Sequence, residues 1–240
     1  MTLVYDVVVV GGGLAGACAA ALLVRHAGLE PQRVALLAAE LPVTGAADAP
    51  PDLRVVAISR ASERVLRAAE AWPRLNQARL CAYERMRVWH QRAGAVGDGA
   101  LCFDADDIGE PNLGYIAENG ALLRACIDSF RTAGGSVLTD QLVTATITAD
   151  GATLSRRAGP ALSARLVIGA DGAQSLVRTC AGLTVRTHDY RQLAIVATVH
   201  TSRPHRNTAW QRFLSTGPLA FLPLFDGASS IVWSVDEAQA

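Results

Sequence analysis

The chain contains no lysine: all 22 of its basic residues are arginine. That absence removes whole chemistries. A phosphate-binding loop ending in Gly-Lys-Ser/Thr is excluded, as is the lysine of a protein kinase. Schiff-base catalysis, including pyridoxal phosphate held on a lysine, is excluded too. A GC-biased genome explains the bias without a functional cause. There is also no surplus of either charge, since 22 acidic residues balance the 22 arginines. A dedicated nucleic-acid binder would carry a basic excess, so no nucleic-acid partner is expected. Cysteine is sparse and unpaired in pattern. Cys18, Cys81, Cys102, Cys126 and Cys180 are odd in number and never form a C-x-x-C pair. This argues against a disulfide framework or a structural zinc site and fits a reducing cytoplasm. The five histidines, His26, His90, His188, His200 and His205, likewise lack an i, i+4 ligand pair, and no metal is expected. At 240 residues, half of them apolar, the chain can bury a real core in one or two domains.

What is present begins with a deceptive run. Val7 to Val24 is uncharged, apolar and long enough to resemble a membrane span, with Gly12 and Gly16 at small-xxx-small spacing. A signal peptide would carry a positive leader, yet the charge before the run is Asp6. The segment divides better in two. Val4–Val10 is β-branched and short, like a strand buried on both faces of a parallel sheet. Leu14–His26 reads as an Ala/Leu-rich helix closed by Gly28. At the junction stand Gly11, Gly13 and Gly16, the G-x-G-x-x-G spacing. Gly11 permits the tight turn, Gly13 lets a pyrophosphate approach the backbone, and Gly16 lets helix and strand pack closely. The helix N-terminus adds free N–H groups and a positive dipole end. A second strand, Val34–Leu37, follows at the right distance, so the motif has the βαβ context that dinucleotide binding requires.

The acid that should meet the adenosine ribose, about 20 residues on, is missing after Leu37, where Ala38 stands. Glu40, two residues further, would point to the same side if the strand continued. It reads either as the replacement or as a solvated loop glutamate.

Leu41–Asp52 is rich in Pro, Ala and Gly and reads as an exposed loop. Asp52–Ser59 leads into a helix expected over Ala61–Ala71, stopped at Trp72-Pro73. Tyr83–His90 and Leu101–Asp104 pattern as partner strands, and Gly114–Ala117 as a short one. Asn119 is the expected cap of a helix reaching Ala133, ended by Gly134-Gly135. Ser136–Thr139 returns as a strand. Leu142–Thr148 and Ala152–Arg156 flank the hairpin signal Asp150-Gly151. Leu162–Gly169 is a further buried strand, followed by Ala170-Asp171-Gly172 and a helix to Ala181. From Leu193 four strands follow with no helix between them: Leu193–Thr201, Ala209–Leu214, Leu219–Phe225 and Ser230–Val235. The expected architecture is an α/β domain over residues 1–183, with a β excursion at about 83–104, then a mainly antiparallel β part over 184–240.

Together these motifs resemble the class A flavoprotein monooxygenases: Gly11-x-Gly13-x-x-Gly16, Arg54-x-x-Ala57-Ile58 and Gly169-Ala170-Asp171-Gly172. A closer resemblance is to the ring hydroxylases of ubiquinone biosynthesis. It rests on Met86-Arg-Val-Trp89, Phe103-Asp104, Leu113-Gly-Tyr-Ile-x-Glu118-Asn119 and Tyr190-x-Gln192-x-Ala194. Downstream, Gln211-Arg-Phe213, Gly217-Pro-Leu-Ala-Phe-Leu-Pro223-Leu and Ser230-Ile-Val-Trp233-Ser continue it.

The resemblance implies a Rossmann-like FAD-binding domain, a parallel sheet with crossover helices, joined to an incomplete substrate domain. It implies an FAD enzyme that hydroxylates the ring of a polyprenylated phenol with dioxygen, through a flavin C4a-hydroperoxide, reduced by NAD(P)H or another donor. Carried over residue by residue, Gly11, Gly13 and Gly16 hold the FAD pyrophosphate. Arg54 contacts FAD near its phosphates and ribityl, where a guanidinium fork suits an anion. Asn119 and Arg124 match positions near the cofactor, and Asp171 meets a ribityl hydroxyl. Plainer readings stand beside these. Arg54 and Arg124 also read as surface ion-pair partners, and Asp171 as the cap of the helix after it. Trp89, Trp210 and Trp233 read as sheet-face packing or as the lining of a tail pocket. No catalytic side chain is identified. Departures from the resemblance are Ala38 for a glutamate, His90 for an aspartate, and Gln174 after Asp-Gly-Ala. A third motif of such relatives, Gly-Asp-Ala-x-His, is not found in these residues.

Two further readings compete. One is a shortened, non-catalytic flavin-fold protein that acts as an assembly or binding partner in a ubiquinone-biosynthesis complex. The other is a generic nucleotide-dependent dehydrogenase, for which no Tyr-Lys or His site is visible. A lipid-tailed substrate further implies peripheral contact with the inner membrane, and an open sheet edge implies a homo-oligomer.

Overall fold

The computed structural model describes residues 3–42 and 50–239. Of the loop expected over Leu41–Asp52, residues 43–49 lie outside the described residues. In chain order the elements are β1 (Leu3–Val10), α1 (Leu14–His26), β2 (Val34–Ala38), β3 (Val55–Ser59) and α2 (Arg60–Ala68). Next come β4 (Cys81–Tyr83), β5 (Arg85–His90), β6 (Ala100–Asp104), β7 (Gly114–Glu118) and α3 (Asn119–Thr132). There follow β8 (Ser136–Thr139), β9 (Leu142–Thr148), β10 (Gly151–Arg156), β11 (Leu162–Gly169) and α4 (Leu176–Cys180). The last four are β12 (Gln192–Val199), β13 (Thr208–Leu214), β14 (Gly217–Pro223) and β15 (Ser229–Asp236). No helix among the described residues is long and apolar enough to cross a membrane, because the Val7–Val24 run splits into β1 and α1.

The fold is α/β and divides into two compact units, neither contiguous in sequence. The first comprises Met1–Ala47, Val65–Leu75 and Ala121–Arg186. Its sheet has the order β8-β2-β1-β11-β10-β9. The first four strands are parallel, and β10 and β9 extend the sheet as an antiparallel hairpin turning at Asp150-Gly151. β1 lies in the middle, which is why Val7, Val8, Val9 and Val10 are all buried and the strand shows no polar alternation. Each such valine stabilises the unit by about 1.5–3 kcal/mol. α1 packs through small residues, Gly16, Ala17, Ala20 and Ala21. Gly28, at φ +66°, takes the left-handed conformation just past its end. In the last turn Arg25 donates to the hydroxyl and carbonyl of Ser129 on α3 and pairs with Glu70 at 2.7 Å. α2 stops at Ala68 rather than Ala71. Glu70 turns left-handed at φ +51°, and the Ala71 amide closes back on the Leu66 carbonyl, which ends the helical ladder. Asn119 is the first helical residue of α3 rather than its cap, and α4 is shorter than expected, starting at Leu176 with Ser175 as its cap.

The second unit comprises Asp48–Arg64, Asn76–Gly120 and Thr187–Ala240. Its larger sheet has the order β12-β15-β14-β13-β5-β6 and a smaller one the order β3-β7-β4. All pairs are antiparallel except β13 with β5, which run parallel from Thr208↔Arg85 to Phe213↔His90. That pairing places the 76–120 segment in this unit, whereas a single cut near residue 183 leaves it with the first. Cys81, Ile116, Leu224 and Ala228 form a buried cluster beneath the smaller sheet.

Candidate cofactor cleft

Three loops meet at the C-terminal ends of the parallel strands, where open α/β sheets place their ligands. After β1, Gly11 stands at φ +116° and its amide donates to the Leu37 carbonyl at 2.8 Å. A Cβ there would lie 2.1 Å from the Ala170 carbonyl oxygen, in the loop after β11. That loop is held by the Ala170 amide donating to the Val10 carbonyl at 2.7 Å. Gly16 is equally constrained, since its Cβ would fall 2.1 Å from the Gly11 oxygen. Gly12 lies against the Ala38 methyl group at the end of β2.

Gly13 differs from its neighbours. A Cβ on it would meet nothing within 4 Å. It is the N-terminal cap of α1 in extended conformation, with no side-chain hydrogen bond to the first turn and no acid in that turn. The first amides of α1 therefore lack a side-chain acceptor, and the positive end of the helix dipole is uncompensated. An anion is the natural complement. The surrounding cleft holds about 540 Å³ and is lined by Gly11, Gly12, Gly13, Glu40, Asp171 and Gln174, among others.

β2 ends at Ala38, so the argument that the strand carries Glu40 to the correct side does not apply. Ala38 is buried, and the exposed Glu40 reaches the cleft from irregular chain. The Asp171 carboxylate is already engaged. It accepts hydrogen bonds from the Leu176 amide at 2.7 Å, the Val177 amide at 3.2 Å and the Ser175 hydroxyl. Burial pushes its carboxyl upward, but these donors outweigh burial and hold it below the ordinary aspartate value. The plainer reading of Asp171, a cap for the following helix, is what the hydrogen bonds describe. Its place in the cleft lining leaves room for a ligand contact as well.

Asp140 is a lining residue that the sequence reading missed. It follows β8, whose end lies beside that of β2, and its amide donates to the Ala38 carbonyl at 2.9 Å. Its carboxylate accepts from the amides of Gln141 (2.8 Å), Ala158 (3.2 Å) and Gly159 (3.0 Å) and pairs with Arg156 at 3.5 Å. The available signal was positional: an aspartate just past the end of a third parallel strand. Burial raises its pKa, and these partners bring it below the usual range.

Asp6 also titrates low, chiefly through two hydrogen bonds from Arg33 at 2.9 and 3.0 Å. A carboxyl with a depressed folded pKa adds stability above its unfolded value, about 3.9. That stability is lost as pH falls through the folded value. Asp6, Asp140 and Asp171 all belong to the first unit, so its melting temperature should drop steeply between pH 5 and pH 2. Asp140→Asn should melt lower at pH 6 but with a shallower acid limb; an unchanged slope would remove Asp140 from this account.

The remaining candidates lie elsewhere. Arg54 and Asn119 belong to the second unit and are tied together, the Asn119 amide donating to the Arg54 carbonyl at 3.0 Å. Arg54 is exposed and its amide donates to Asp52. Arg124 is half-buried on α3, in the first unit. The structure thus gathers Gly11, Gly13, Glu40 and Asp171 around one cleft, with Gly16 beneath it.

Residues 129–237 match the FAD binding domain family. The chain is 33% identical over 230 residues to the 3-demethoxyubiquinol 3-hydroxylase of Escherichia coli K12, covering 95% of this chain and 56% of that protein. It is 34% identical over 256 residues to the mitochondrial ubiquinone biosynthesis monooxygenase COQ6 of Xenopus tropicalis, covering 99% of this chain and 53% of that one. It therefore spans about half the length of the curated relatives it matches. Among solved structures, Pseudomonas aeruginosa PqsL in complex with 2-aminobenzoylacetate superposes with a TM-score of 0.75 at 20% identity, covering 98% of this chain and 62% of that one.

Proposed function

Because the chain belongs to the ubiquinone-biosynthesis hydroxylase family of FAD-dependent monooxygenases, we propose that it holds FAD for hydroxylation of the aromatic ring of a polyprenylated phenol. The observation that carries this reading is the uncapped α1 N-terminus beside Gly13, with open space above it at the ends of the parallel strands.

The residues present fit the nucleotide end of FAD. The amides of the 11–13 turn and the first turn of α1 take the pyrophosphate oxygens, with no side chain competing for them. Glu40 is the acid available in the cleft for a ribose hydroxyl. Asp171 orients α4 through the amides it holds and turns its remaining lone pairs to a hydroxyl of the cofactor. Arg54 and Asn119, joined by the bond from the Asn119 amide to the Arg54 carbonyl, are cofactor contacts on the family resemblance alone. Arg124, on α3, is likewise a cofactor contact on the family resemblance alone. FAD, when bound, supplies the redox chemistry that puts one oxygen atom of dioxygen into the ring, with electrons from NAD(P)H or another donor. The polyprenyl tail of such a substrate brings the protein to a membrane surface or a lipid-handling complex.

The test is a titration of the chain with FAD, followed by flavin fluorescence and circular dichroism. Saturable binding is expected, with oxygen uptake on adding a reductant and a phenol. A folded chain that titrates no FAD would overturn the reading and favour a non-catalytic partner with a flavin fold.

A further inference from the structure

The second unit contains a cleft of about 700 Å³ that the FAD reading does not use. It is bounded by the 201–206 segment, which links β12 to β13, and by side chains of the larger sheet. The pairings Trp210↔Phe221 and Phe221↔Ile231 put these three side chains on one face. In the next row, Trp89↔Arg212, Arg212↔Leu219, Leu219↔Trp233 and Trp233↔Ile195 continue that face from β5 to β12. Three of the four tryptophans therefore share it. Trp89 and Trp210 meet edge to face, with ring centroids 6.2 Å apart. From β5 to β12 there are four strand spacings, or roughly 19 Å of mostly apolar surface.

The other wall of the cleft is cationic. Arg203 and Arg206 both line it, and neither guanidinium has an ion-pair or hydrogen-bond partner among the described residues. Many arginines elsewhere are paired, Arg25, Arg33, Arg79 and Arg156 among them. The segment is also held in an unfavourable conformation. Arg206 and Asn207 both stand left-handed, at φ +51° and +52°, a region that residues other than glycine seldom adopt. Several bonds impose it. The His205 ring accepts from the Asn207 amide at 3.1 Å through Nδ1 and donates through Nε2 to the Leu224 carbonyl at 3.1 Å. The Thr208 hydroxyl donates to the Arg206 carbonyl, and the Asn207 amide group donates to Glu84. The turn is thus fixed in place before any ligand arrives.

We propose that this cleft binds a single-chain amphiphilic anion, an isoprenoid or acyl phosphate. The phosphate sits between Arg203 and Arg206, and the hydrocarbon lies on Trp89, Trp210 and Phe221. The volume is that of a small-molecule site. Arg203 and Arg206 are exposed, and their guanidiniums, without a protein partner among the described residues, offer charged donors to an anion beside an aromatic wall that suits an apolar body. The phenolic substrate proposed above carries a tail but no such charge, so this site goes beyond that reading and is independent of FAD.

The test is tryptophan fluorescence of the whole chain, since two of its tryptophans line the cleft. It would be titrated with farnesyl diphosphate, with farnesol and inorganic diphosphate as the two halves of the probe, and with phosphatidylglycerol vesicles. Farnesyl diphosphate should bind saturably and at least tenfold more tightly than either half. Arg203→Gln, alone and with Arg206→Gln, should weaken it tenfold or more and leave farnesol unchanged. Melting temperature is the control for folding, and FAD titration of the same samples reports separately on the proposed function. Equal affinity for farnesol and farnesyl diphosphate, or no change in the variants, would overturn the site. Binding to the vesicles without saturable binding of the monomeric probe would also overturn it, in favour of a membrane surface.

Discussion

Gly11→Ala should abolish the fold of the first unit, while Gly13→Ala should leave it folded and weaken FAD binding at least tenfold. The two glycines are two residues apart and serve different physical purposes. At Gly11 the backbone stands at φ +116°, where an L side chain is strained by about 1–3 kcal/mol. The added methyl would also lie 2.1 Å from Ala170 O, 2.3 Å from Ala170 C and 2.6 Å from Asp171 N. All three are backbone atoms, so no side chain can rotate away. Relief requires separating the ends of β1 and β11, where the Ala170 amide bonds to Val10. A domain stable by roughly 5–15 kcal/mol can lose most of that stability here. At Gly13, φ −73° and ψ 173° suit alanine, and nothing lies within 4 Å of the new methyl. The loss of a glycine cap costs about 1 kcal/mol at most. The methyl instead occupies the open space above the helix end where the pyrophosphate is proposed to sit. Thermal melts by circular dichroism beside FAD titrations separate the two effects. Gly11→Ala melting like the parent would contradict the packing account, and undiminished FAD affinity in Gly13→Ala would move the phosphate elsewhere.

Arg79→Ala and Glu118→Ala should each destabilise the second unit by about 3–5 kcal/mol, as expected when one partner of a buried ion pair is removed. Arg79 donates twice to the Glu118 carboxylate, both bonds being 2.7 Å. Its guanidinium also lies 4.5 Å from the centre of the Phe225 ring. Glu118 is 8% exposed and accepts a further bond from the Asp52 amide at 2.8 Å. Deleting either side chain leaves the other charge with little access to water. The Arg79→Met, Glu118→Leu double variant should recover a large part of the loss, because no unpaired charge remains. Urea unfolding of the parent, Arg79→Met alone, Glu118→Leu alone and the double variant gives the coupling directly. If the double variant loses as much as the two single variants summed, the pair does not act as a unit. The same network fixes the backbone of 52–54: Glu118 takes the Asp52 amide, Asp52 the Arg54 amide, and Asn119 donates to the Arg54 carbonyl.

Much of the first unit was readable because its determinants are local. The β-branched run ending at Val10, the glycines after it and the Ala/Leu helix ending at His26 each follow from short-range sterics or periodicity. The structure gives β1 as Leu3–Val10 and α1 as Leu14–His26. Asp150-Gly151 named its own hairpin, and four successive strands were visible after Leu193. β3 passed unrecognised because Val55–Ser59 was read only as the approach to α2. The end of α2 was misplaced because the left-handed turn at Glu70 has no glycine to announce it.

The sequence by itself determined that these residues hold no lysine and where the glycine-rich strand–helix turn stands. A missing lysine, or a glycine that only a strand–helix junction requires, needs no partner to be interpreted. Tertiary structure decided everything that depends on a distant partner. It set β5 beside β13, brought Asp140 to the rim beside β2, committed Asp171 to the amides of α4, and joined Arg79 to Glu118. Whether a given arginine is a buried clamp, like Arg79, or an unpaired cation on a cleft, like Arg203, depends on what folding brings within about 3 Å of its guanidinium. In a chain with no lysine, residue type cannot make that distinction.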